Sequence, residues 1–253
     1  MSWLAHPDVL PWLAEAARLA FGAALAAGLL KRRHLARGLG RLAAAVAGLA
    51  VLAVCWQAQR PPLLGPYETT MQTVFLLGVL AAWAEGGRRP PSAVPLWCRG
   101  FCLALLAVLW FLPQPLTPDS FMFDYLWMIL FFQLRLVAMA LLLFAAACYL
   151  AGWRPETPGA RRDLRRGRAF LLAGWCAFLG SEYCGATWSY YWLGDFWGWS
   201  AGFLESTLLF LAIAVPLHLP PAWRAERRVV IATGAGPGLV VVIVTLIHQV
   251  GLS

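Results

Sequence analysis

The chain has 253 residues, of which 61% are hydrophobic and only 13% are charged, and its mean hydropathy is +0.68. A soluble domain carries about 25% charged residues, so this composition excludes a soluble enzyme, a nucleic-acid-binding module and a disordered chain. The net charge of +8 would suit an anionic partner, but the positions of the charges explain it without nucleic acid, as described below.

Apolar runs separated by Pro-, Gly- and Arg-rich breaks recur along the whole chain. A helix needs roughly 20 apolar residues to cross about 30 Å of hydrocarbon, so these runs predict membrane-spanning helices. In chain order, the predicted spans are 11–30, 40–58, 68–84, 98–113, 124–150, 169–187, 200–219 and 229–248. We therefore expect an all-α, polytopic transmembrane helix bundle of about eight spans, which forms a single integral membrane domain over residues 1–253.

The basic residues predict the orientation of this bundle. Seventeen of the 20 Lys and Arg residues lie in the alternate connections that follow the first, third, fifth and seventh spans. Because short loops rich in Lys and Arg stay on the cytoplasmic side, this pattern places both termini outside the cell (inner) membrane. The positive charge is therefore a topology signal of a multi-pass protein, whose partner is the lipid bilayer and not nucleic acid.

The third outer connection, Trp188 to Trp199, is unusually aromatic: seven of its twelve residues are Trp, Tyr or Phe. Trp and Tyr favour the membrane–water interface, and such a belt accounts for one or two residues at each helix end. A run this dense would also form a flat apolar surface on which a planar ligand such as a porphyrin can stack. Composition alone leaves both interpretations open.

Residues 194–201, Gly-Asp-Phe-Trp-Gly-Trp-Ser-Ala, lie in this connection. They resemble the loop W-G-x-[YF]-W-x-W-D-P-x-E of the cytochrome c assembly family, the membrane haem-handling proteins of cytochrome c maturation. Leu217-His218 falls on the Leu-His pair that ends the next span of the family. Residues 185–191 resemble its G-A-x-W lead-in and the W-A-Y-Y variant of its longer haem-lyase members. Further family segments are matched by Pro66-Tyr67-Glu68, Cys148-Tyr149-Leu150 and Leu246-Ile247-His248, so the resemblance extends roughly over residues 60–253.

Two departures from the family pattern limit what the resemblance implies. Ser200-Ala201 stands where the family has Asp-Pro after W-x-W. The external histidine that the family places early in the helix matching the fifth span has no counterpart, and its position falls near Met128. The resemblance therefore implies a haem-facing architecture without an intact haem synthase.

Carried onto this sequence, the resemblance implies a b-type, non-covalently bound haem. The implied haem-contacting residues are Trp188, Trp192, Trp197 and Trp199, with His248 as the iron ligand and Met128 as a substitute second ligand. Histidine and methionine both serve as haem ligands in cytochromes, and no catalytic residue is assigned. Judged by the residues alone, His248 also fits a helix-end histidine in the headgroup zone, and Met128 an ordinary core methionine.

The function implied by the resemblance is haem handling or presentation in cytochrome c biogenesis at the outer face of the cytoplasmic membrane. The departures favour a partial or accessory role, with other cytochrome c assembly proteins or a periplasmic cytochrome c as partners. One alternative is a haem b or quinone-binding electron-transfer subunit of a membrane respiratory complex. Another is a structural anchor that binds nothing.

Charged residues inside membrane spans are costly, so they are usually paired or functional. We expect Arg135, which lies eleven residues into the fifth span, to pair with a buried glutamate. Glu15 and Arg18 are three residues apart and can pair on one helix face. The Gly- and Pro-rich segment 233–238 predicts close packing or a kink in the last span.

Overall fold

A computed structural model describes residues 6, 8–86, 92–111, 116–118, 120–153, 159–196 and 201–250, with the side chains of all of these except 111, 201–203 and 245–250. This part of the chain is helical and contains no strand, which confirms the prediction of an all-α polytopic bundle. Its α-helices are α1 (Val9–Leu29), α2 (Arg33–Ala58), α3 (Pro66–Glu85), α4 (Val94–Val108), α5 (Leu126–Ala151), α6 (Ala160–Leu193), α7 (Ala201–Leu217), α8 (Pro221–Ala225) and α9 (Arg227–Val250). Two short 3₁₀ segments, Leu109–Phe111 and Phe121–Asp124, flank the connection between α4 and α5.

The first four helices pack together through small residues and internal ion pairs. Helix α2 turns a row of buried alanines toward the bundle, which allows α1 and α3 to approach it closely. Arg18 of α1 forms the expected pair with Glu15 and also donates to the carbonyl of Leu106 in α4 at 3.0 Å. The predicted Glu15–Arg18 pair is thus confirmed, and the arginine also joins α1 to α4.

Helix α5 lies at the centre of the bundle and contacts α3, α4, α6 and α9. Glycines on its neighbours make these contacts close. A Cβ added at Gly174 of α6 would lie 3.0 Å from Leu142, and one at Gly238 of α9 would lie 2.6 Å from the Cβ of Ala146. The Gly- and Pro-rich segment therefore packs against a neighbouring helix, and α9 continues through Pro237.

The bundle has two chemically different ends. We call the end formed by residues 57–67, 121–125 and 188–196 the aromatic end, and the end formed by residues 30–33, 92–94, 159–168 and 218–227 the basic end. At the aromatic end, the Tyr67 hydroxyl donates to the carbonyl of Leu10 at 2.6 Å. At the basic end, the Ser92 hydroxyl donates to the Asp163 carboxylate at 2.7 Å. These contacts join segments that are far apart in sequence.

Among the described helices, α1, α2, α5 and α9 are long and apolar enough to cross a membrane, whereas α4 and α7 are shorter apolar helices. The count of eight spans and the external termini stay predictions. Helix α6 differs from its predicted span, 169–187, because it begins nine residues earlier and ends six residues later. Its 34 residues extend about 51 Å at 1.5 Å per residue, which exceeds the thickness of the hydrocarbon core. The arginine-rich start and the aromatic end of α6 therefore project beyond a single span.

Candidate functional site

The aromatic run predicted to be a loop is helical in its first half. Helix α6 continues through Trp188, Tyr191 and Trp192 and ends at Leu193. Gly194 terminates it with a left-handed φ of +73°, and the Gly194 amide donates to the carbonyl of Tyr190 at 3.0 Å. Residues three and four apart share one face of a helix, so Trp188, Tyr191 and Trp192 are presented together.

The start of α5 supplies the opposite wall. The ring of Tyr125 meets that of Trp192 edge to face, with ring centres 4.7 Å apart, and Phe121 lies 5.9 Å from the same indole. Together, Tyr125, Trp127, Trp188, Tyr191 and Trp192 line an open groove of about 440 Å³, which we call the aromatic groove. Small-molecule sites are typically concave, mostly apolar and roughly 300–1,000 Å³ in volume. The aromatic lining of this open groove suits a flat, largely apolar ligand.

One polar group of the groove residues lacks a partner. The indole N–H of Trp188 is buried and has no hydrogen-bond acceptor among the described residues. A buried donor without an acceptor costs about 1–3 kcal/mol, and an indole nitrogen can only donate.

A buried ion pair, which we call the Arg60–Glu68 clasp, contacts the segment that leads into Tyr125. Glu68 is completely buried and accepts hydrogen bonds from both terminal nitrogens of Arg60, at 2.7 and 3.2 Å, and from the amides of Leu63 and Thr117, at 3.0 and 2.9 Å. The Arg60 guanidinium lies 4.5 Å from the ring centre of Phe123. Because Phe123 belongs to the 3₁₀ segment immediately before Tyr125, the clasp fixes the segment that forms one wall of the groove.

The structure brings together only part of the predicted haem site. Trp188 and Trp192 share the groove, whereas Trp197 and Trp199 lie outside the described residues. Met128 is buried one turn into α5, where its amide donates to the carbonyl of Tyr125 at 3.0 Å, but it does not appear among the described residues that line the groove. The backbone of His248 lies in the last turn of α9, and its side chain is outside the described set.

The remaining histidines offer no ligand to the groove within the described structure. His218 is exposed at the end of α7, where its Nδ1 lies 2.9 Å from the carbonyl of Ala214, as expected for a residue that caps the helix. His34 is exposed at the basic end, and His6 is exposed beside Asp8 at 3.4 Å. Among the described residues, no group of three or more His, Cys, Asp or Glu side chains is arranged to hold a metal ion.

Sequence reasoning missed Tyr125 and Trp127. Their signal was present, because Phe121, Phe123, Tyr125 and Trp127 form a second aromatic run immediately before α5. What the sequence could not give was their proximity to α6, since 63 positions separate Tyr125 from Trp188.

Arg135 forms the ion pair expected for a charge within the membrane. One of its terminal nitrogens donates to Glu182 at 2.9 Å, and the other donates to the Ser206 hydroxyl at 2.7 Å. The rings of Phe131 and Phe178 lie 5.3 and 5.7 Å from its guanidinium. The predicted pairing with a glutamate is confirmed, although Glu182 is half-buried and not buried as expected, and the arginine joins α5, α6 and α7.

The geometry defines a polytopic, all-helical membrane protein with an aromatic groove at one end. Comparison of the sequence with protein-family models and with curated proteins gives no match. Among solved structures, the chain is similar to Cytochrome c Heme Lyase CcmF, with a TM-score of 0.70 and 18% sequence identity. The alignment covers 94% of this chain and 45% of that chain. The two proteins share a fold, as the sequence resemblance predicted, and this chain spans less than half the length of the lyase chain.

Proposed function

We propose that this chain handles or presents haem in cytochrome c biogenesis, as a divergent member of the cytochrome c assembly family with a partial or accessory role. The observation that carries the proposal is the aromatic groove, placed at one end of a bundle that has the fold of a cytochrome c haem lyase. The Ser200-Ala201 departure and the missing family histidine favour an accessory role over a complete lyase.

The described residues fit the ring of a haem better than its iron. The groove offers five aromatic side chains, and aromatic pairs in offset or edge-to-face contact gain about 0.5–1.5 kcal/mol beyond area burial. Haem, when bound, would be the group that cytochrome c assembly passes on to the cytochrome. Its axial ligands, by the family resemblance, would be His248 and Met128.

The proposed location is the outer face of the cytoplasmic membrane. Support comes from the charge pattern, because Lys and Arg concentrate at the end of the bundle opposite the groove and such residues stay cytoplasmic. At that outer face, the groove would be accessible to other cytochrome c assembly proteins or to a periplasmic cytochrome c. The chain would act there as a single integral membrane domain over residues 1–253.

The test is haem retention by the purified protein. Trp188→Ala and Trp192→Ala should each weaken haem affinity about 2- to 13-fold, which is the effect of losing one aromatic contact of 0.5–1.5 kcal/mol. The double variant should nearly empty the site. Trp223→Ala is the matched control, because Trp223 is an exposed tryptophan at the basic end. Unchanged haem content in the double variant, or an equal loss in the control, would contradict the assignment of the groove.

A second experiment tests the iron ligand. His248→Ala should shift the Soret band and reduce retained haem, whereas His34→Ala, at the basic end, should do neither. Met128→Ala should lower the haem potential if Met128 is the second ligand, because methionine ligation raises the potential. If His248→Ala leaves the spectrum of a haem-loaded protein unaltered, the ligand lies elsewhere.

The same preparation separates this proposal from the electron-transfer alternative. Haem that survives purification in stoichiometric amount and is reduced by quinol would indicate a fixed redox centre. Haem that is transferred to an apocytochrome c would indicate a role in assembly. A spectrum without haem would favour the structural anchor.

A further inference from the structure

The basic end of α6 carries five arginines within the eight residues 161–168, and the helix distributes them over two faces. Arg162 and Arg166 turn toward the bundle. The Nε of Arg162 lies 3.4 Å from the carboxylate of Asp163, and the guanidinium of Arg166 lies 5.0 Å from the ring centre of Trp83. These two arginines therefore belong to the packing of the protein itself.

The other three, Arg161, Arg165 and Arg168, form what we call the arginine stripe. Their spacing of four and three residues places them on one face of the helix, and all three are exposed. None of them forms an ion pair or a hydrogen bond within the described part of the chain. Three full positive charges therefore lie within about 11 Å along one helix face, with no counter-charge bonded to them among the described residues.

The buried carboxylates near this end are already engaged. Glu85 lies 2.5 Å from Arg99, which also donates to the carbonyl of Ala36. Asp163 is buried and binds Ser92 and Arg162. Neither of these two carboxylates therefore supplies the counter-charge for the arginine stripe.

The face that carries the stripe continues as an apolar, exposed face. Leu172, Leu179 and Tyr183 follow at the same helical spacing and are 41%, 41% and 68% exposed. Residues 169–187 of α6 are a predicted span, and large exposed apolar residues on a span contact lipid chains. The stripe therefore lies on the lateral surface of the bundle, where those lipid chains end.

The length of α6 places the stripe at the depth of the lipid headgroups. Twenty residues separate Arg168 from Trp188, which is about 30 Å at 1.5 Å per residue. The hydrocarbon core of a bilayer is also about 30 Å thick. When the aromatic residues at one end of α6 lie at one headgroup layer, the arginine stripe lies at the other.

We propose that the arginine stripe binds the phosphate groups of anionic phospholipids in the leaflet at the basic end. A guanidinium pairs with phosphate through two parallel hydrogen bonds, and basic clusters beside membrane spans attract anionic headgroups. Lipid bound there holds α6 at a fixed depth, and the aromatic groove at its other end is thereby held at the opposite surface. The proposal does not depend on what the groove binds.

The test is binding of phosphatidylglycerol to the full chain in detergent, measured by native mass spectrometry, with phosphatidylcholine and inorganic phosphate as the comparison probes. The variant replaces Arg161, Arg165 and Arg168 with Gln. Each arginine near an anionic surface contributes about fivefold in affinity, so the triple variant should bind phosphatidylglycerol about 100-fold more weakly. Arg165→Gln alone should lose about fivefold.

The control variant replaces Lys31, Arg32 and Arg33 with Gln, which removes the same charge from exposed residues in the α1–α2 connection at the same end. Because three consecutive residues do not share one helix face, this variant should lose less affinity than the stripe variant. The proposal is overturned if the stripe variant binds phosphatidylglycerol normally or if the control loses as much affinity. It is also overturned if phosphatidylcholine binds equally well, or if inorganic phosphate displaces the lipid, since a free-phosphate site would then explain the arginines.

Discussion

Removal of the Arg60 side chain, as in Arg60→Met, should be among the most damaging single changes at the aromatic end. Glu68 is completely buried, and the side chain of Arg60 is only 9% exposed, so neither group exchanges its partner for water. Breaking a buried ion pair by removing one partner costs about 3–5 kcal/mol, because the remaining charge is left uncompensated. The loss extends to the groove, since Arg60 also packs on Phe123, beside Tyr125.

A second substitution in the clasp, Glu68→Gln, should recover part of the stability that Arg60→Met removes. In the Arg60→Met background, Glu68→Gln removes the uncompensated charge. The glutamine carbonyl can still accept from one of the two amides, Leu63 or Thr117, that bind Glu68. One buried amide would then lack an acceptor, which costs about 1–3 kcal/mol. The double variant should therefore lose about 1–3 kcal/mol, and thus be more stable than Arg60→Met alone.

The assay is denaturant unfolding of the detergent-solubilised protein, followed by circular dichroism for the original chain, the two single variants and the double variant. Arg165→Met is the matched control, because Arg165 is an exposed arginine with no bond to the described protein, and its loss should leave the unfolding curve unchanged. If Glu68→Gln deepens the loss caused by Arg60→Met, the electrostatic account of the clasp is refuted. A cost near zero for Arg60→Met would refute it as well.

Two further predictions concern packing and orientation. Gly238→Val should lower the melting temperature, because its Cβ would lie 2.6 Å from the Cβ of Ala146. Gly236→Ala should not, because nothing lies within 4 Å of the new Cβ. Equal effects of the two changes would contradict the α5–α9 contact. A cysteine at Ser120 should react with an impermeant reagent on intact cells and one at Arg161 should not; the opposite pattern would reverse the orientation and place the aromatic groove inside the cell.

The sequence predicted the helical class of the fold better than it predicted where helices end. Hydropathy locates the part of a helix that contacts lipid, and it placed the sixth span at 169–187. Arginine, tryptophan and tyrosine do not stop a helix. Helix α6 therefore extends over all the residues between Gly159 and Gly194, two glycines whose positive φ ends the helix on either side. The aromatic segment therefore presents a helix face where a loop was expected.

Ion pairs between helices could be predicted from the sequence only where an unpaired charge inside the membrane would be too costly. A charge such as Arg135 must find a partner within the membrane, so an ion pair with a glutamate could be expected from the sequence. The Arg60–Glu68 clasp could not, because one of its donors, Thr117, lies 49 positions from Glu68. The contribution of Tyr125 to the groove could not be predicted for the same reason. Sequence periodicity shows on which face of a helix a residue lies, but not which neighbouring helix packs against that face.

The contacts between α5 and α6 bear on how the aromatic groove can bind a ligand. Both walls of the groove stand on these two helices, which pack closely at Gly174 against Leu142 and are joined by the Arg135–Glu182 pair nearer the groove. Walls fixed by packing and by a hydrogen-bonded ion pair do not have to be ordered when a ligand enters, and this preorganisation strengthens binding. Loss of one aromatic side chain should therefore subtract its own contact without displacing the opposite wall. Loss of the Arg135–Glu182 pair should instead weaken binding through every groove residue at once.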